Sequence, residues 1–101
     1  MVARAAAGSD DWQVRRAAVE TPNCPIDVQH SLVSDERPEV RVAAVRRVPL
    51  DPALAERIAA DPRAAVRRAL AQRGGVPDPV RRTLAADPVR IVREAADRYR
   101  P

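Results

Sequence analysis

The chain has no lysine and no phenylalanine, and one each of cysteine, histidine, tryptophan and tyrosine among its 101 residues. Each shortage closes a class of function. A lone cysteine, Cys24, makes neither an internal disulfide nor a thiolate cluster for zinc or iron. Two aromatic residues give no stacking platform of the kind that single-stranded nucleic acid uses. The three glycines form no phosphate-cradling loop, and Gly74-Gly75 reads as a helix stop. No hydrophobic run approaches a membrane span, and residues 1 to 8 are too short an apolar stretch for a secretory signal, so the cytoplasm is the expected compartment. Neither a nucleophile–base pair nor a ligand set is present. The chain is therefore expected to be non-enzymatic, with no catalytic residue, cofactor or metal.

In their place stand small apolar residues, charge and repetition. Apolar content is 46%, mostly Ala, Val and Leu, which lets helices approach closely. All 18 basic residues are arginines, and the net charge of +4 permits an anionic partner without demanding one. The dipeptide Val-Arg occurs at Val14-Arg15, Val40-Arg41, Val66-Arg67 and Val92-Arg93, each 26 positions after the last. Five positions before each valine stand Ser9, Asp35, Asp61 and Asp87. Three after it stand Ala17, Ala43, Ala69 and Ala95. Further columns also keep their chemistry: Cys24, Leu50 and Val76; Val28, Leu54 and Val80; Leu32, Ile58 and Leu84.

A period of this length signals a stack of supersecondary units. Each unit reads as two short helices. In the third, Asp61 is expected to cap a first helix that begins at Pro62 and carries Val66, Ala69 and Leu70 at helical spacing. A second segment follows around Pro77–Pro79, with Val80 and Leu84 four apart; at about ten residues it fits either α or 3₁₀ geometry. The expectation is one all-α domain over residues 1–101, a right-handed solenoid. It has a lead (1–8), full units at 9–34, 35–60 and 61–86, and a partial unit at 87–101. Such units bury their apolar stripe only by stacking.

The Asp-x-x-x-x-Val-Arg-x-x-Ala core and the following Pro-x-x-(Val/Leu)-x-x-x-Leu segment resemble the leucine-rich repeat variant family, a bacterial helical repeat. Pro25–Leu32 and Pro77–Leu84 carry the second motif; residues 51–58 carry it with Asp51 in place of proline. The first half also resembles the longer HEAT-type repeats. The resemblance implies a right-handed superhelix of alternating α and 3₁₀ helices, and no single activity. Some family members carry a cysteine-rich iron–sulfur segment; Cys24 alone does not carry that cofactor over.

Three surfaces are candidates. The arginine column (Arg15, Arg41, Arg67, Arg93) reads either as a ladder for a polyanion or, favoured here, as structural partners of the Asp column. On the first helices, the positions two before, two after and five after the valine should face away from a narrow core stripe. They hold Trp12, Arg16 and Val19 in the first unit and Pro38, Val42 and Val45 in the second, where a solvated face should be polar. Together with Arg68 of the third unit, this apolar, charge-rimmed face is the expected site for a protein partner: Trp12, Arg16, Val19, Val42, Val45 and Arg68. Charge is also graded, from −2 over residues 9–34 (two Arg, four acids) to +4 over residues 61–86 (six Arg, two acids). Arg63, Arg67, Arg73, Arg81 and Arg82 thus form an alternative site for nucleic acid or another polyanion. A further alternative is a homo-oligomeric assembly protein, through the open ends of the stack. Cys24 shares its column with Leu50 and Val76 and reads as a buried small hydrophobe. His30, aligned with Glu56 and Arg82, reads as a surface residue.

Overall fold

The helices start on the sequence period. In the computed structural model, which describes residues 2–99, one set begins at Trp12, Pro38, Ala64 and Arg90 and another at Ile26, Pro52 and Asp78. In chain order the helices are α1 (Val2–Ala7), α2 (Trp12–Glu20), α3 (Ile26–Leu32), α4 (Pro38–Arg47), α5 (Pro52–Ala59), α6 (Ala64–Ala71), α7 (Asp78–Ala85) and α8 (Arg90–Arg98). The described residues are all-α and contain no strand. The second segments, for which the sequence left α and 3₁₀ open, are α-helices throughout.

Two local devices set these boundaries. The Asp column does not cap helices in the manner expected of Asp61. The capping positions are Arg37, Arg63 and Val89, and each Asp stands two residues earlier. There its carboxylate accepts the backbone N–H two residues on: Asp35 from Arg37 at 2.9 Å, Asp61 from Arg63 at 2.8 Å and Asp87 from Val89 at 2.9 Å. This is the turn that aspartate makes with its own backbone, and it explains why α6 begins at Ala64 and not at Pro62. True side-chain caps occur at Asp11 and Asp51, which accept from Gln13 and Leu54. After α2 and α6 the chain reverses through a left-handed residue, Asn23 (φ 62°) and Gly75 (φ 80°). These are the residue types that tolerate that region. At the equivalent place after α4 stands Pro49, whose ring excludes it.

The chain divides into two compact units, Met1–Pro49 and Leu50–Pro101. In the first, α2 packs on α1 and α4, and α3 packs on α4. In the second, α6 and α7 both pack on α8, and α5 packs on α6 and α7. The lead, read from the sequence as lying outside the units, carries α1, whose Ala3 is buried.

The width of the buried face is the main departure from expectation. On α4, Val40, Ala43, Ala44 and Val45 are all buried. On α6, Val66, Ala69, Leu70 and Ala71 are. At about 100° per residue these positions span about 200°, twice a single stripe. Val19 and Val45, expected on an outward face, are 0% exposed and belong to the core. α2 and α8 bury less. α2 buries Arg15, Ala18 and Val19 while Val14 is 39% exposed; α8 buries Val92, Ala95 and Ala96 while Arg93 and Asp97 are exposed.

Candidate functional site

The wide buried arc decides the fate of the arginine column. One residue past the valine lies about 100° round the helix, inside that arc. Arg15 is buried, Arg41 and Arg67 are half-buried and Arg93 is exposed; a guanidinium drawn from water needs partners for its fork of donors, and these arginines have them. Arg15 sends Nε and Nη2 to the two carboxylate oxygens of Asp35 at 2.8 and 3.1 Å, and Nη1 to the Ser9 carbonyl at 2.9 Å. Arg67 repeats the pattern on Asp87 at 2.7 and 3.1 Å and on the Asp61 carbonyl at 2.8 Å. Arg41 and Arg93 donate to the Asp35 and Asp87 carbonyls in the same way. The Asp–x₄–Val–Arg motif is therefore a clamp. One edge of the arginine fastens the loop before its own helix, and in Arg15 and Arg67 the other edge fastens the aspartate of the next loop. The Arg67 guanidinium holds the Asp87 carboxyl below the ordinary carboxylate range, against the opposing effect of burial.

This redistributes the polyanion candidates. Arg67 is engaged in its clamp. Arg81 is buried and donates to the carbonyls of Ala71, Ala96 and Arg73 at 3.3, 3.2 and 3.0 Å. It thereby fastens the C-terminal ends of α6 and α8, where the helix dipole favours a cation. Neither belongs to an exposed phosphate-tracking row. Arg73 is half-buried, its pKa lowered by burial, and its Nε meets the Gly74 carbonyl at 3.2 Å. Arg63 and Arg82 alone of the five are exposed.

Of the expected partner face, four residues stay at the surface. In the first unit Trp12 and Val42 are half-buried and Arg16 is exposed. Two guanidiniums flank the indole: Arg37 with its carbon 4.6 Å from the ring centroid, and Arg16 at 5.5 Å. These are cation–π distances. Arg16 lies 3.7 Å from Glu20 one turn on, and Arg37 donates to Glu39 at 3.2 Å. The aromatic ring is thus pinned among paired charges with part of its surface left to solvent. Arg37 and Glu39 were not foreseen, because nothing in sequence spacing shows that the residue capping α4 reaches the indole on α2. Val19 and Val45 drop out of this face, being core.

Arg68 lies in the second unit, on the wall of a cleft of about 80 Å³ lined by Gln72, Ile91, Glu94, Ala95, Arg98 and Tyr99. Elsewhere in that unit Glu56, Ala59, Ala60, Pro79, Val80 and Thr83 line a wider, more open hollow on α5 and α7.

The chemistry-bearing side chains are otherwise quiet. Cys24 is buried, and burial raises its thiol pKa, which suits a packing role. Among the described residues no group of His, Cys, Asp and Glu could hold a metal ion, and no helix is long and apolar enough to cross a membrane.

Comparison with known protein families, with curated proteins and with solved structures finds no match for this chain.

Proposed function

We propose that this chain is a non-enzymatic, helical-repeat module that binds another protein through the outward side of α2 and α4. The observation that carries this reading is Trp12, half-buried between Arg16 and Arg37, with half-buried Val42 on α4 at the position equivalent to Arg16. Tryptophan and arginine dominate binding energy where they cluster at interfaces, because they bury large area at low entropic cost. An indole held by two cations is already ordered before a partner arrives. The repeat reading, a right-handed solenoid akin to leucine-rich repeat variant proteins, draws support from the helix starts on a 26-residue spacing and from the recurrent arginine clamp. It makes the interior a scaffold and leaves the outward positions for recognition.

Capture of partners from the native source on the immobilised chain tests this. Trp12→Ala and Val42→Asp should each lose the captured protein while helical circular dichroism stays unchanged. Capture that survives both substitutions contradicts the proposal. Capture of nucleic acid with an affinity falling steeply with salt favours the polyanion reading instead. Concentration-dependent mass in light scattering, with nothing else captured, favours self-assembly.

A further inference from the structure

The cleft between α6 and α8 carries a more specific inference, which rests on the reading of the chain as a protein-binding module. Arg68 of α6 and Arg98 of α8 both line one hollow, and neither guanidinium has a partner among the described residues. Other helix arginines, though not Arg46, Arg47 or Arg82, are engaged. Arg15 and Arg67 hold carboxylates, Arg81 holds three carbonyls, and Arg90 holds Glu94 at 2.7 Å. Glu94, the one acid in the cleft, is already neutralised by Arg90, so it does not satisfy the two free cations.

The first unit shows how the free pair arises. The residues 52 positions before Arg68 and Gln72 are Arg16 and Glu20. There the glutamate lies 3.7 Å from the arginine and offsets its charge. In the second unit a neutral Gln72 replaces the glutamate, and Arg68 is left without its intrahelical partner. The surroundings add to the positive field, since residues 61–99 hold nine arginines against five acidic residues. Ile91 and Tyr99, 46% and 45% exposed, supply an apolar shoulder and a hydroxyl at the rim.

We propose that this cleft receives a side-chain carboxylate of an acidic peptide segment, gripped between Arg68 and Arg98, with the methylenes of the incoming glutamate against Ile91 and Tyr99. A cleft of about 80 Å³ accommodates such a head group. Carboxylate is also the group that Arg15 and Arg67 grip with two parallel bonds, from Nε and Nη2, at Asp35 and at Asp87. Two guanidiniums converging on one acidic group give charge-assisted bonds with orientational specificity.

The test is a nitrogen-15 NMR titration of the full chain at low salt with a blocked peptide of alternating Glu and Ala, and separately with sodium phosphate. The peptide should give saturable shifts at the amides of Arg68, Gln72, Ile91, Arg98 and Tyr99. The double variant Arg68→Gln/Arg98→Gln should weaken binding about tenfold or more, and Arg63→Gln/Arg82→Gln should leave it unchanged. No saturable shift in the cleft overturns the inference. So does equal loss in the second double variant, which would mean diffuse attraction, and so does phosphate saturating the same amides as strongly as the peptide. A silent cleft together with partner capture that still depends on Trp12 would sink this inference and leave the proposed function standing.

Discussion

Shifted by 52 residues, the first unit falls on the second, and the comparison separates frame from surface. The two clamps, Arg15–Asp35 and Arg67–Asp87, agree donor for donor. The left-handed turn residues, Asn23 and Gly75, agree in backbone region. Away from the interior the units part company. Trp12 aligns with Ala64, Val42 with Glu94, Ile26 with Asp78 and Glu20 with Gln72. The interior differs in places as well: Ala18, Val19, Cys24 and Val45 align with Leu70, Ala71, Val76 and Asp97, and half-buried Gln29, with a side-chain bond to the Cys24 carbonyl, aligns with buried Arg81, which holds three carbonyls. The clamps and turns match while the outsides differ, apolar and aromatic in the first unit and cationic in the second.

The comparison is most easily broken within one helix. Val45→Asp places an unpaired carboxylate at a site that is 0% exposed, at a cost of several kcal/mol, enough to unfold a small domain. Val42→Asp, at a half-buried site three residues earlier, should keep native helical dichroism and change stability by about 1 kcal/mol. Equal unfolding of both would return the outward face to the core.

Next in size is the Gln29/Arg81 contrast. Arg81→Met strips three carbonyls of their donor and should lower stability by about 2–3 kcal/mol in urea titration, whereas Gln29→Met should cost about 1 kcal/mol. Similar costs would mean that Arg81 is not the fastening described.

Acid should act on the second unit's clamp. The folded pKa of Asp87 lies below its unfolded value, because Arg67 donates to the carboxylate. Its contribution is therefore complete at neutral pH and is lost as pH falls from about 4 through the folded value. The urea midpoint should drop between pH 6 and pH 2, and Asp87→Asn should flatten that drop. An unchanged slope in the variant assigns the acid sensitivity elsewhere.

The smallest effects sharpen the turn comparison. Gly75→Ala forces a Cβ into the left-handed region and should cost about 1 kcal/mol, although nothing crowds that Cβ. Asn23→Gly should raise the thermal midpoint slightly, since the asparagine already bears that strain. A loss of stability in Asn23→Gly would show that the asparagine side chain matters beyond its backbone.

Much of the interior was legible. Every described helix except α1 starts on the 26-residue period, although the sequence sets the start of α6 at Pro62 and not at Ala64, and Val40, Val66 and Val92 are buried as the period implies. The two misplaced valines come from one assumption, a buried face one stripe wide and centred on the valine of each Val-Arg pair. α4 buries about twice that arc, which takes in Val45, and on α2 the buried face turns away from Val14 towards Arg15, Ala18 and Val19. The same assumption left the arginine column open between a ladder and a clamp, because only the wide arc puts Arg67 inside it. Arg81 stands with the polyanion candidates on the charge of residues 61–86 alone, and no spacing rule shows that three carbonyls converge on one guanidinium. The Trp12–Arg37 contact and the Arg68–Arg98 pairing join residues on different helices. Sequence periodicity describes one helix face at a time and does not register them.

The most direct measurement compares neighbours in the chain, Arg67→Met and Arg68→Met, by urea unfolding at neutral pH. Removing Arg67 strands the Asp87 carboxylate, whose side chain is 6% exposed, and should cost about 3 kcal/mol. Removing the outward Arg68 should change stability by less than about 0.5 kcal/mol. Equal effects, or a larger one at Arg68, would contradict an inward clamp beneath an outward working surface.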